Sequence, residues 1–198
     1  EGVVVRGGQA LIRKADKTLH MDRETSAALI ANALIVYKRE HKHFPARVVC
    51  HKSSYFDDAE IAGFQEAASS FGIDQLDLLS VRKSSVRFFR NRPNPPLRGT
   101  SIELDDQTAL LYTQGSVDFY KAYPGLFIPR PLEVRFDAID GSKDNLLSEI
   151  LALSKMNWNS TRFVNAEPIT IAAARNVGDI LRYVTSQTPI QARYSYYM

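Results

Sequence analysis

At 198 residues and 44% hydrophobic content, the chain is long enough to bury one sizeable core and too apolar for a disordered tail. Its single cysteine, Cys50, excludes an internal disulfide and reads as a small buried hydrophobe. No apolar run has the length of a membrane span or the form of a signal peptide, so a cytoplasmic protein is the simplest reading. The net charge of +3 says little about partners; its distribution along the chain says more.

In chain order, residues 2–12 are β-rich, with Gly7-Gly8 as a turn or bulge. Asp22 caps a helix running to about His41, with Ile30, Leu34 and Tyr37 on one face; His41 and His43 at its end complement the helix dipole. Residues 47–51 form a buried strand. Asp57 and Glu60 make a capping box for a helix that turns Ile61, Phe64, Ala68 and Phe71 inward and stops at Gly72. Residues 75–81 are the next buried strand. Residues 87–134 read as hairpins, including 100–104 and 108–113, with Asp105, Asp106, Asp137 and Asp140 as turn residues. Ser142 caps a helix with Leu147, Ile150, Leu151 and Ser154 on one side. A polar corner of residues 155–160, a strand-like Pro168-Ile169-Thr170-Ile171 and a last helix follow. Helices alternating with strands indicate an α/β sheet with covered faces, and no internal repeat is present.

Two stretches carry chemistry. The corner Lys155-Met156-Asn157-Trp158-Asn159-Ser160 sets amide, hydroxyl and ammonium donors side by side at a helix end, which suits a row of phosphates. The blander reading makes Trp158 a core anchor and Asn157 and Asn159 helix caps. Between Val81 and Thr100 the charged residues are Arg82, Lys83, Arg87, Arg90, Arg92 and Arg98, with no acid, and Phe88 and Phe89 interleave. That is either a solvated basic loop or a phosphate-binding rim, and the missing acids favour the rim.

The segment from Leu146 to Leu181, with its corner, closely resembles the last third of the PIWI domain of prokaryotic Argonaute proteins. The run Pro45 to Ser54 resembles the PIWI strand that normally carries a catalytic aspartate, and Leu79 to Ser84 the next core strand. Gly2 to Gly8 is similar to the last strand of the family's first hairpin. Arg193 to Met198 is similar to Argonaute tails, which tuck inward. These matches fall in the family's order. The resemblance implies a ribonuclease H-like fold, a mixed sheet flanked by helices. It also implies that residues 1–198 are a partial PIWI domain whose first strands and MID domain belong to a missing part of the same protein.

Catalytic PIWI domains use two divalent ions held by clustered carboxylates, because hard cations prefer oxygen ligands. The resemblance sets the first acid upstream of Glu1, the second near Asp16, the third at about Ser53 and the fourth near Ala173 or Ala174. A serine hydroxyl and an alanine methyl do not replace anionic ligands, so these positions are degenerate and no catalytic residue or catalytic cofactor is expected. Lys83 and Arg87 match positions that follow the guide backbone, and Lys155, Asn157, Trp158 and Asn159 the corner that contacts guide phosphates near the 5′ end; Ser84 is either a further backbone donor or a plain surface residue. Metal ligation is absent, or limited to the Met198 carboxylate helping a Mg²⁺ at the guide 5′ phosphate. The expected function is binding of a short guide and its complementary target, RNA or DNA, by an inactive Argonaute PIWI domain in defence against invading DNA. An effector protein is a further expected partner, and a membrane is not. The alternatives are an active guide-directed endonuclease with metal ligands partly from the missing part, and a ribonuclease H-like scaffold that binds only protein.

Overall fold

The computed structural model describes residues 2–5, 7–8, 10–13, 17–119, 121–123, 126–156, 166–184 and 189–197. Its architecture follows from one strand that is apolar on both faces. β4 (Gln75–Lys83) sends Leu76 and Leu78 into one cluster and Leu79 and Val81 into another, the two-residue period of a strand covered on both sides.

Around it the sheet runs β3 (Arg47–Lys52), β4, β7 (Leu132–Ala138), β6 (Thr108–Leu111) and β5 (Ser101–Glu103). β3 and β4 are parallel and the other pairings antiparallel. On one face α1 (Arg23–His41) and α2 (Asp58–Ser70) supply Ile30, Leu34, Phe64, Ala67 and Ala68. On the other, α3 (Lys143–Leu153) and α4 (Ile169–Leu181) supply Leu146, Leu147, Ile150 and Ile171. A small hairpin of β1 (Leu11–Ile12) and β2 (Leu19–His20) lies apart from this sheet. Among the described residues, no helix is long and apolar enough to cross a membrane.

Local chemistry sets the helix ends. The Asp22 carboxylate accepts from the Thr25 amide at 2.7 Å. Asp57 accepts from Ala59 N while Glu60 accepts from Asp57 N, each at 2.9 Å, forming the expected capping box. Gly72, at φ +67°, ends this helical segment in the left-handed region. α1 and α2 approach so closely at Gly63 that a Cβ there would lie 2.3 Å from the Arg23 carbonyl oxygen.

Five local readings need correction. Pro168-Ile169-Thr170-Ile171 is not a strand: Pro168 sits at the N-cap of α4, and Ile171 on its first turn enters the core. Ser142 occupies the N-cap position of α3, but its side chain makes no cap hydrogen bond. Asp137 is not a turn residue; it lies on β7 with its side chain 2% exposed, accepting from Ser80 Oγ and paired with Arg135. β3 is half-buried along its length, because β4 flanks it on one side only among the described residues. In the opening stretch, among the described residues, Val3 makes an isolated bridge to Arg193 in place of a strand, flanked by Val4 N to Ala192 O and Tyr194 N to Gly2 O. These bonds tie residues 192–194 to the opening stretch, leading into the 3-10 turn Tyr194–Tyr197.

Candidate nucleic-acid interface

Parallel pairing of β3 with β4 brings their C-terminal ends, Lys52 and Lys83, to the same end of the sheet. α4 crosses there. His51 Nδ1 lies 2.7 Å from Thr170 Oγ1 on its first turn. The buried His51 Nε2 has no hydrogen-bond partner, and burial pushes its pKa down to about 4, against the opposing charge of Glu149. Ser53, two residues on, is exposed; on α4, Ala173 is half-buried and Ala174 exposed.

The cations at this end divide between the two faces. Lys52 points under the sheet and donates at 2.5 Å to Glu60, which is wholly buried and also accepts from Met21 N at 3.0 Å. Arg82 stacks its guanidinium 4.5 Å from the Tyr55 ring centroid, with Arg135 at 5.0 Å and the Tyr55 hydroxyl donating to Glu133 at 2.7 Å. Lys83 points the other way. Its Nζ is 3.8 Å from Glu167, which also holds Arg175, the residue after Ala174. Both cations stay well exposed, at 59% and 46% of the side chain.

Beyond Lys83 the chain forms the rim. Ser84 is buried: its amide donates to Pro131 O at 3.1 Å and its hydroxyl accepts from Val86 N at 3.2 Å, so it braces the turn. Phe88 packs inward on Tyr112, with centroids 5.1 Å apart, which turns its neighbours Arg87 and Phe89 outward. Arg87 Nε donates to Ile128 O at 3.4 Å and Arg90 Nε to Asn94 O at 2.8 Å, so two of these arginines are held in place on the surface.

The Lys155 ammonium lies half-buried just past the end of α3 and donates to Thr113 O at 2.7 Å. Burial first, and the charge of Arg98 second, lower its pKa to about 8. Asp16, Asn157, Trp158, Asn159 and Met198 lie outside the described residues. The structure thus brings Lys83, the strand end before Ser53 and the helix of Ala173 and Ala174 to one end of the sheet. It puts Arg87 on the rim and Lys155 beside Thr113. Sequence reasoning missed Glu167 and Arg175, although a basic residue directly after two alanines was a visible signal. It also missed the partnership of Thr113 and Lys155, 42 residues apart in the chain.

No family profile and no curated protein matches the chain. Solved structures do. Clostridium butyricum Argonaute, bound to a guide DNA and a 19-mer target DNA, superposes with TM-score 0.69 at 20% identity over 90% of this chain and 23% of its own. Aquifex aeolicus Argonaute superposes with TM-score 0.68 at 19% identity over 91% and 25%. Aa-Ago with externally bound siRNA gives TM-score 0.69 at 20% identity over 91% and 24%. The chain spans about a quarter of the length of these proteins. At such identity the likeness concerns the fold: this is the ribonuclease H-like sheet-and-helix fold of an Argonaute PIWI domain, as the resemblance in the sequence implied.

Proposed function

We propose that the chain binds guide and target nucleic acid as the PIWI unit of a nuclease-inactive prokaryotic Argonaute. It grips strand backbones and leaves sequence selection to base pairing. One observation carries this reading. Where the two parallel strands end and α4 crosses them, the side chains among the described residues include the Ser53 hydroxyl, the Ala173 and Ala174 methyls and the exposed cations Lys83 and Arg175, with one carboxylate, Glu167, paired to both cations. Two divalent ions need several hard oxygen ligands, and this donor set does not fit them. Cations there suit phosphates instead. Nucleic acid bound to the matched Argonautes supports the same class of ligand. A role in defence against invading DNA, exerted through an associated effector protein, is part of the proposal.

The competing reading is an active endonuclease whose ligands come partly from elsewhere in the protein. The test loads the full-length protein with a guide and adds labelled complementary target with Mn²⁺ or Mg²⁺. The expected result is a stable complex with an uncut target. Metal-dependent cleavage at one fixed position, lost in Asp16→Asn, would sink the inactive reading.

A further inference from the structure

Arg98 stands where two segments cross. Its amide donates to Ser116 O at 2.7 Å, and the next amide, of Gly99, donates to Tyr112 O at 2.9 Å. The crossing is so tight that a Cβ on Gly115 would lie 2.5 Å from Arg98 N. The backbone bearing this arginine is therefore fixed. Its side chain is half-buried, and its Nε is buried with no hydrogen-bond partner among the described residues. A second half-buried cation, Lys155, feels the charge of Arg98 and is anchored to Thr113 O, within this same crossing, at 2.7 Å. Thr113 is in turn fixed by its hydroxyl, which donates to Ala166 O at 2.7 Å.

Two like charges withdrawn from water and set near each other are unfavourable, and a buried donor of a charged group without an acceptor is costly. Buried polar groups in folded proteins nearly always have a partner, so an exception calls for one. We propose that Arg98 and Lys155 form a seat for one phosphate group of the bound strand. A phosphate offers acceptors to the guanidinium and the ammonium together and relieves their repulsion. A backbone phosphate fits better than a protein carboxylate because Arg87, Arg90 and Arg92 belong to the same basic stretch, in which residues 81–100 contain no acid. This inference rests on the nucleic-acid reading above and adds Arg98 to the residues that carry it.

The test uses the full-length protein and a set of guide oligonucleotides, each with one phosphate replaced by an uncharged methylphosphonate. Arg98→Gln is expected to weaken binding of the unmodified strand about tenfold, the scale of one charge-assisted contact. One methylphosphonate position should impose a similar loss on the wild type and no further loss on Arg98→Gln, while Arg98→Lys keeps part of the affinity. Equal responses of wild type and Arg98→Gln at every position would overturn the seat. If the wild type bound no oligonucleotide, the functional reading would fail instead. The seat is then read without nucleic acid, by the rate of Lys155 acetylation followed by mass spectrometry. Inorganic phosphate should slow that rate in the wild type but not in Arg98→Gln, and no slowing in either would overturn it. Slowing of wild-type acetylation by an acidic peptide but not by phosphate would also overturn it, in favour of a protein carboxylate.

Discussion

Burial lowers the His51 pKa from 6.5 to about 4, so folded protein keeps this imidazole neutral where the unfolded chain would protonate it. The folded value is the depressed one, so stability is complete above about pH 6.5, falls as the pH drops through this window, and levels off below about pH 4. The shift corresponds to a loss of up to about 3 kcal/mol. His51→Leu should flatten that part of the profile. The check is the difference in urea midpoint between pH 7 and pH 4.5 for wild type and variant. Equal drops would show that His51 is not held neutral. Asp137, whose pKa burial raises, acts in the opposite direction but equally in both proteins, so it cancels from the comparison. Residue chemistry was legible in the sequence where a side chain serves its own neighbourhood, as in the Asp22 and Asp57 caps. It was illegible where the partner is remote. Aspartate favours turns, so Asp137 read as one; its partner Ser80 lies 57 residues away.

Among the elements, α1 and α2 are locked together by an absent side chain. Gly63 lets the Arg23 carbonyl approach, and any Cβ there meets backbone, which cannot swing aside as a side chain can. Gly63→Ala, though favourable for helix propensity, should therefore destabilise the protein by about 1–3 kcal/mol, the usual cost of overpacking. Thermal unfolding of the variant tests this, and an unchanged or raised Tm would show that the helices separate freely. The same scale explains the misread elements. Ile169-Thr170-Ile171 is β-branched and alternates like a strand, but Pro168 suits a helix start and the core takes Ile171 from the first helical turn. Apolar residues at 48–50 implied a fully buried strand; the position of β3 at the border of the described sheet leaves it half-covered, a matter of topology that periodicity does not report.

For the whole molecule, the order of helices and strands was readable because each covered face leaves its own period in the sequence, most clearly in β4. The candidate interface was readable in its cations and not in their partners. Lys83→Ala and Arg87→Ala should each weaken strand binding without altering which sequences bind, and each should reduce the slope of log affinity against log salt by about one unit if it removes one phosphate contact. The effect of Lys83 should be the smaller, since it exchanges its contact with Glu167 for the phosphate. Unchanged slopes in both variants would take these residues off the backbone path.

The tight crossing at Gly115 also bears on the order of assembly. The α1–β3–α2–β4 half is built from neighbours in sequence, and such units form early. The crossing of residues 97–99 with 112–116 closes only a short loop, but the pairing of β4 with β7 and the anchoring of Lys155 on Thr113 join segments farther apart in the chain, so their loop-closure cost falls later in folding. The rim and the Arg98–Lys155 seat therefore come into being only in the finished molecule. A strand that grips them recognises completed protein and slows its opening, so a loaded protein should outlive an empty one in the presence of protease.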